Sequence, residues 1–253
     1  MFSIEQLQAG LNTEFLGREV KYLKKTFSTN IDAWEYCQTQ KPEGTLIIAD
    51  QQAKGRGRRQ NKWYSVEGKS LTFSFILLPE IDLEKLGILP LLTGVSIVKG
   101  IHNISNIPSG LKWPNDIMIS RKKMGGILIE SRTIKHRIRV VVGIGLNVNE
   151  SEDDIPNKIQ GQATSLHIES GEEFSRELIL SSILNEFENL YLNSWYDIIP
   201  LWQEYCIHEN DDITFHSNKK IHQGTFLGIT ETGHAMIQIN GKTETFPAGM
   251  VTL

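Results

Sequence analysis

The sequence predicts an α+β protein, with a mixed sheet and flanking helices over residues 1–208 and a small β-barrel over residues 209–253. Three observations predict it. Strand-like runs at 20–23, 45–49, 71–78 and 126–142 are interrupted irregularly by helical stretches, which argues for a mixed sheet and not for a repeated βαβ wind. After Asn210 the texture changes to short alternating runs divided by glycine or Asn-Gly turns, the pattern of a small barrel of roughly 45 residues. The 253 residues suffice for one large domain carrying a small appendage.

Residues 1–17 carry a weak helical pattern, and Val20-Lys21-Tyr22-Leu23 is the first clear strand. Phe27-Ser28-Thr29-Asn30 opens a helix through Ile31, Trp34 and Cys37, with Ser28 or Asn30 available as its cap. Thr45–Ala49 and Leu71–Leu78 read as strands, Leu91–Val98 as an apolar helix and Ile117–Ile119 as a short strand. A three-strand meander is expected from Gly126–Glu130, Arg137–Val142 and a short piece around Gly145–Val148. Ser151–Gly161 breaks the pattern with acids, Pro156 and Gly161, and reads as a surface loop able to close over a site. Apolar residues at helical spacing return from Ser175, itself a plausible cap, to Leu192, and again at Ile199, Leu201, Trp202 and Tyr205. Trp195, Tyr196 and Trp202 read as core or inter-domain packing. Five further strands are expected at 213–215, 224–229, 235–239, 244–246 and 250–253.

A formal net charge of −4, from 26 Lys and Arg against 30 Asp and Glu, argues against a general binder of nucleic acid or of anionic membrane. Cys37 and Cys206 are the only cysteines and lack metal-ligand spacing, so two ordinary buried thiols in a reducing, cytoplasmic setting are expected, with one disulfide as the alternative. The start of the chain lacks a signal-peptide pattern, and nowhere do about 18 apolar residues run together. The seven histidines show no paired spacing for a metal.

One segment overrides this acidic background. Ala53–Trp63 packs Lys54, Arg56, Arg58, Arg59 and Lys62 around Gly55 and Gly57, between two predicted strands. Glycines let a backbone wrap closely around a ligand, and arginine forks bind phosphate or carboxylate bidentately. An anionic small molecule fits both facts, and a solvated or nucleic-acid-contacting run is the alternative.

Five segments in this order resemble the biotin protein ligases: Ser28-Thr29-Asn30, Gln52-x-x-Gly55-Arg56-Gly57-Arg58-Arg59-x-x-x-Trp63, Lys112-Trp113-Pro114-Asn115-Asp116, Lys123-x-Gly125-Gly126-Ile127-Leu128-Ile129-Glu130, and Gly143-Ile144-Gly145-x-Asn147-Val148-Asn149. The resemblance implies a catalytic domain with an SH3-like C-terminal barrel, and a two-step reaction. Biotin attacks ATP, with Mg2+, to give biotinyl-5′-adenylate and pyrophosphate. A lysine of a biotin carboxyl carrier protein, or of such a domain in a biotin-dependent carboxylase, then takes the acyl group.

On this resemblance Ser28, Thr29, Asn30 and Gln52 supply neutral donors and acceptors to biotin's uncharged ureido ring. Gly55, Arg56, Gly57, Arg58, Asn115, Lys123 and Gly126 line the same site, and Trp63 offers a face for adenine, with core packing as its alternative. Lys123, Asp116, Arg58 and Lys112 are the expected catalytic residues. Lys123 with Arg56 and Arg58 would neutralise the repulsion between carboxylate and α-phosphate. Asp116 would position a metal ion or accept the proton of the incoming amine, or else serve as a turn aspartate. Asn147 would bond adenine or ribose, while Gly143 and Gly145 would admit a ligand or simply mark a strand edge. The metal ligands are not assigned.

The family's glycine and arginine after the arginine pair are here Gln60 and Asn61, which puts loop closure in doubt. The 27 residues before Ser28 are too few for a winged helix-turn-helix, so a stand-alone, non-DNA-binding ligase is expected, as a monomer or weak homodimer. A lipoate ligase or octanoyl transferase is the competing enzyme, although neither cysteine has an acyl-nucleophile setting. A non-catalytic ligand- or RNA-binding module would need a broad basic, aromatic-interleaved surface, against which the acidic balance speaks.

Overall fold

The computed structural model describes residues 2–38, 42–80, 83–217 and 220–253. Helix α1 (Ile4–Gly10) is capped by Ser3, whose hydroxyl accepts from the Gln6 N–H. Strand β1 (Val20–Thr26), helix α2 (Thr29–Tyr36), strands β2 (Leu46–Gln52) and β3 (Leu71–Leu77), helix α3 (Leu89–His102) and strands β4 (Ser109–Lys112), β5 (Asp116–Ile119), β6 (Lys122–Ile134) and β7 (Arg137–Leu146) follow. They form a seven-stranded sheet in the order β1-β2-β3-β7-β6-β5-β4, parallel at β1–β2 and antiparallel at every other pair.

Helices α4 (Leu166–Ser170), α5 (Arg176–Asn193) and α6 (Ile198–Glu204) complete this part. Ser175 caps α5 by accepting from the Leu178 N–H, which satisfies a donor the helix itself cannot. Because α3 and α5 cover one sheet face and α2 the other, β3 is buried along its whole length. A strand buried on both faces reads as a continuous apolar run, and the alternation is then subtle. Leu71, Phe73, Phe75 and Leu77 join the large core, while Ile76 packs with Ala33, Trp34 and Cys37 of the α2 region.

Five antiparallel strands, β8 (Asp212–Ser217), β9 (Lys220–Ile229), β10 (Ala235–Ile239), β11 (Lys242–Phe246) and β12 (Met250–Thr252), are ordered β11-β10-β9-β8-β12. Their buried residues, Phe215, Phe226, Ile237 and Val251 among them, belong to the same apolar cluster as Trp113 and Trp202. The connecting segment is stitched to β4: Leu111 N–H donates to the Tyr205 carbonyl at 2.8 Å, and Ile207 N–H returns to the Leu111 carbonyl at 3.1 Å.

Four expectations are corrected. The meander has two long strands, not three: Gly145 and Leu146 end β7, whose pairing with β3 and β6 runs through to Leu146, and Asn147–Asn149 lie beyond it. Strand β4 appears where none was expected, because it is short and its apolar signal sits at one residue, Leu111. Tyr196 is 92% exposed, since it lies in a single turn at Trp195–Asp197 whose other side carries the packing. Cys206 is only partly buried, and both cysteines are unpaired.

His208 sits in the connecting segment with no exposed surface, its ring 4.2 Å from that of Phe226 and its Nδ1 3.3 Å from Cys206 Sγ. Burial, reinforced by Lys112, pushes its imidazole down from 6.5 to about 4. A folded value below the unfolded one means that the unfolded chain binds the proton first. The stabilising contribution is therefore complete above about pH 6.5 and is lost as pH falls toward 4. The expected loss is about 3 kcal/mol between pH 7 and pH 4, read as a drop in the urea midpoint that His208→Gln makes smaller.

Candidate active site

Most of the residues singled out in the sequence, Gly55 and Asn147 excepted, converge on one cavity of about 690 Å³, lined by the start of α2, the 56–63 loop, the turn between β4 and β5, β6, the end of β7 and residues 249–253. At its neutral end, Ser28 occupies the N-cap position of α2 but its hydroxyl makes no cap bond, so the buried oxygen is left for the cavity. Asn30 is no cap either. Its Nδ2 donates to Glu130 Oε2 at 2.9 Å, and its Oδ1 accepts from Ser74 Oγ at 2.7 Å. Gln52, the last residue of β2, accepts the Thr29 N–H on Oε1 at 2.8 Å, relieving one of the unsatisfied donors of the α2 N-terminus.

The basic loop folds back on itself: Trp63 N–H donates to the Gly55 carbonyl at 2.9 Å and Gly57 N–H to the Asn61 carbonyl at 2.7 Å. A Cβ on Gly55 would meet the Trp63 carbonyl oxygen at 2.5 Å, which is why glycine stands there. The three arginines leave the loop in three directions. Arg56 pairs with Glu130 at 3.0 Å, Arg58 Nη1 donates to Asn115 Oδ1 at 3.0 Å, and Arg59, in the left-handed region at φ 54°, reaches the His216 carbonyl at 3.4 Å. Burial, then the neighbouring charge of Arg59, lowers the pKa of the Arg58 guanidinium, whose side-chain acceptor among the described residues is the neutral Asn115 amide.

The Lys112–Asp116 turn, with a cis bond at Trp113–Pro114, presents the charged end. Trp113 is buried and donates Nε1–H to the Gly233 carbonyl at 3.1 Å, anchoring the turn on the C-terminal sheet. Asp116 lies between two ammonium groups, Lys123 Nζ at 2.5 Å on Oδ1 and Lys112 Nζ at 3.1 Å on Oδ2. Burial alone would raise its pKa, but the two lysines override burial and hold it lowered. It is therefore a carboxylate with each oxygen engaged by one ammonium group. Asn115 fixes the turn to β6 by donating Nδ2–H to the Ile127 carbonyl at 3.0 Å. Gly126 gives Lys123 clearance, since a Cβ there would lie 3.3 Å from Nζ.

Two of the sequence-nominated glycines face side chains of the protein. A Cβ on Gly143 would land on Asn30 Oδ1, and one on Gly145 would land on the Trp63 indole. Gly145→Ala is expected to push the indole aside and to cost about 1–3 kcal/mol by overpacking, measured as a lowered urea midpoint with altered tryptophan fluorescence. Trp63 Nε1 is buried without a partner, and its ring stands between the main cavity and a second one of about 560 Å³ lined by Tyr64, Asn147, Glu150, Ile155 and Lys158. Asn147 belongs to that second cavity, with its amide donated to the Thr164 carbonyl at 2.9 Å. The 151–164 segment is sewn to the site by Lys123, whose N–H donates to the Gln162 carbonyl at 2.8 Å and whose carbonyl accepts from Thr164 at 3.0 Å.

Sequence reasoning missed Ser74 and gave Glu130 no role, although Glu130 closes one of the motifs. A signal existed for Ser74, because Thr72 and Ser74 are the polar positions of period two in an otherwise apolar strand. Among the described residues no group of three or more His, Cys, Asp and Glu is placed to hold a metal ion.

Comparison with known proteins agrees with this geometry. The model of the biotin/lipoate A/B protein ligase family matches residues 22–147. The bifunctional ligase/repressor BirA of Bacillus subtilis is 36% identical over 243 residues, covering 94% of this chain and 75% of that protein. The biotin--[acetyl-CoA-carboxylase] ligase of Mycobacterium tuberculosis is 26% identical over 246 residues, covering 92% of this chain and 88% of that protein. The biotin protein ligase of Aquifex aeolicus, solved in complex with biotin and ATP, superposes with a TM-score of 0.78 at 29% identity, over 93% of this chain and 98% of that one. The chain belongs to the biotin/lipoate A/B protein ligase family, among its biotin protein ligases.

Proposed function

We infer that the protein is an ATP-dependent ligase that forms biotinyl-5′-AMP and transfers biotin to a specific lysine of a biotin carboxyl carrier protein. The observation that carries this reading is the division of one cavity into a neutral end, Ser28, Thr29, Asn30 and Gln52, and a cationic end, Arg56, Arg58, Lys112 and Lys123. An uncharged ureido ring at the first end places the valerate carboxylate toward the second, where an α-phosphate would meet it. A carboxylate oxygen forms a bond to phosphorus while the bond to the bridging oxygen breaks and pyrophosphate leaves. Lys123 and Arg58 stabilise the negative charge that gathers on the phosphoryl oxygens, and Lys112 holds Asp116 when Lys123 turns to the phosphate. In the second step the carrier amine attacks the acyl carbon, the C–O bond to phosphate breaks, and AMP leaves. Asp116, once released by Lys123, is the acidic side chain among the described residues lining the cavity and would take the amine proton.

Trp63 offers the wall between the two cavities to adenine, and Asn147 lies on the far side of that wall. Mg2+ fits this donor set as an ion carried by the nucleotide phosphates and water, with Asp116 the carboxylate within the cavity to complete its shell. Residues 1–208 would hold the chemistry and 209–253 would buttress the Lys112–Asp116 turn through Gly233.

The carrier protein is the proposed macromolecular partner, and neither DNA nor membrane is. The acidic net charge supports the former exclusion, and among the described residues no helix is long and apolar enough to cross a membrane. A cytoplasmic location suits the two unpaired cysteines, and we place the protein there as a monomer or weak homodimer. The test is exchange of labelled pyrophosphate into ATP. Exchange that depends on biotin and magnesium is expected, and exchange driven by lipoate or octanoate in place of biotin overturns the reading.

A further inference from the structure

We propose that Glu130 is a positioning residue that joins the basic loop to the neutral end of the cavity and dictates which way the hydrogen bonds there run. Three side chains from two elements meet on its carboxylate: Arg56 of the loop at 3.0 and 3.2 Å, Asn30 Nδ2 of α2 at 2.9 Å, and Trp34 Nε1 of α2 at 3.4 Å.

The direction follows from what each group is able to do. A carboxylate and a backbone carbonyl only accept, so Glu130 at 2.9 Å and the Leu128 carbonyl at 3.3 Å together turn Asn30 Nδ2 toward β6 and Oδ1 toward β3. There Ser74 Oγ lies 2.7 Å from both Asn30 Oδ1 and Thr29 Oγ1. Asn30 Oδ1 carries no hydrogen, so the single Ser74 proton goes to it, and the Thr29 hydroxyl then donates to Ser74 at 2.7 Å in preference to Gln52 Oε1 at 3.3 Å. Gln52 Oε1 is held by the Thr29 N–H at 2.8 Å, which leaves the Gln52 Nε2 hydrogens as donors near Gly55. The carboxylate thus favours one donor and acceptor pattern from Arg56 through Asn30 and Ser74 to the Thr29 hydroxyl, beside Gln52, which the Thr29 backbone N–H orients. Glu130 itself is off the cavity wall, whereas Thr29, Asn30, Gln52 and Arg56 are on it. It therefore acts through them.

A neutral amide at position 130 breaks this arrangement at one of its two ends. If its oxygen faces Asn30, its own N–H groups face Arg56 and the loop loses its anchor. If its oxygen faces Arg56, Asn30 meets a donor and either loses that bond or flips, which turns Nδ2 onto Ser74, reverses the protons at Ser74 and Thr29 and sets Oδ1 against the Leu128 carbonyl.

The inference rests on the ligase reading for its substrate, and the experiment separates the two. Glu130→Gln and Ser74→Ala are compared with the wild-type protein in biotin-dependent pyrophosphate exchange and in hydrogen exchange of residues 53–63 without ligand. Glu130→Gln is expected to raise the KM for biotin about tenfold, the ratio set by loss of one charge-assisted hydrogen bond, with kcat at saturating biotin within about twofold. The same variant should exchange loop amides faster. Ser74→Ala, which cuts the chain beyond Asn30, should raise the KM while leaving loop exchange at the wild-type rate. A Glu130→Gln protein with unchanged KM and unchanged loop exchange overturns the proposal. So does one in which kcat and melting temperature fall together while the loop exchanges as before, because that is the mark of a merely structural residue. Failure of the wild-type protein to exchange pyrophosphate with biotin sinks the ligase reading instead, and the loop comparison, which needs no substrate, then decides whether Glu130 anchors the loop.

Discussion

Lys123→Ala is expected to slow formation of biotinyl-5′-AMP by about 10²–10³-fold, the usual consequence of removing one preorganised cation from a developing charge. Thermal stability should stay near that of the wild-type protein. Lys123 Nζ is partly exposed and its side-chain bond is to Asp116, which keeps Lys112 at 3.1 Å after the substitution. The buried carboxylate therefore remains paired, and the severe penalty of an uncompensated buried charge is avoided. The chemistry has no such substitute, because Lys112 lies on the far oxygen of Asp116 and is engaged there. Single-turnover adenylate formation alongside a melting curve checks both halves. A wild-type rate removes Lys123 from the mechanism, and a collapsed melting temperature would mean that the Lys123–Asp116 pair is structural.

Arg58→Gly should release biotinyl-5′-AMP about 10–100-fold faster while changing biotin affinity by less than about twofold, since charge-assisted hydrogen bonds are each worth about 1.5–3 kcal/mol. Arg58 has lost water to burial and its side-chain partner among the described residues is the neutral Asn115 amide oxygen, a poor match for a cation that an anion would improve and that biotin's ring end does not supply. Ordering the 53–63 loop costs roughly 1–2 kcal/mol per residue and brings like charges together. The adenylate phosphate offsets both terms. The variant should consequently biotinylate bystander lysines, as free intermediate escapes before a carrier arrives. Rapid dilution measures the release, and hydrogen exchange of the loop with and without ligand measures the closure. Unchanged release from a loop already protected in the free protein would reject the gate.

Much of the fold was legible because it is written in short-range periodicity. The apolar runs of β3 and β7, the helical spacing of α5 and its Ser175 cap, and the turn-divided strands after Asn210 all appear where the sequence put them. The site residues were legible for a different reason. Glycines and arginines clustered in an acidic chain, with a Lys-Trp-Pro-Asn-Asp turn further on, are not accounted for by the apolar periodicity of a core.

By itself, then, the sequence determined most of the elements and the family, and it nominated the residues of the candidate site. The tertiary structure alone decided what each member touches. Gly143 and Gly145 look equally ready to admit a ligand, yet they make room for Asn30 and Trp63, residues more than eighty positions away along the chain. Asn147 sits beside them in the sequence and faces the second cavity, because the chain leaves β7 at Leu146 and turns. Glu130 ends a motif in plain view, but its role lies in Arg56 and Asn30, which reach it from a loop and a helix. Local pattern reports which face of an element is apolar. Which partners that face receives is set by sheet order and register, and those are fixed by the packing of segments that the sequence keeps far apart.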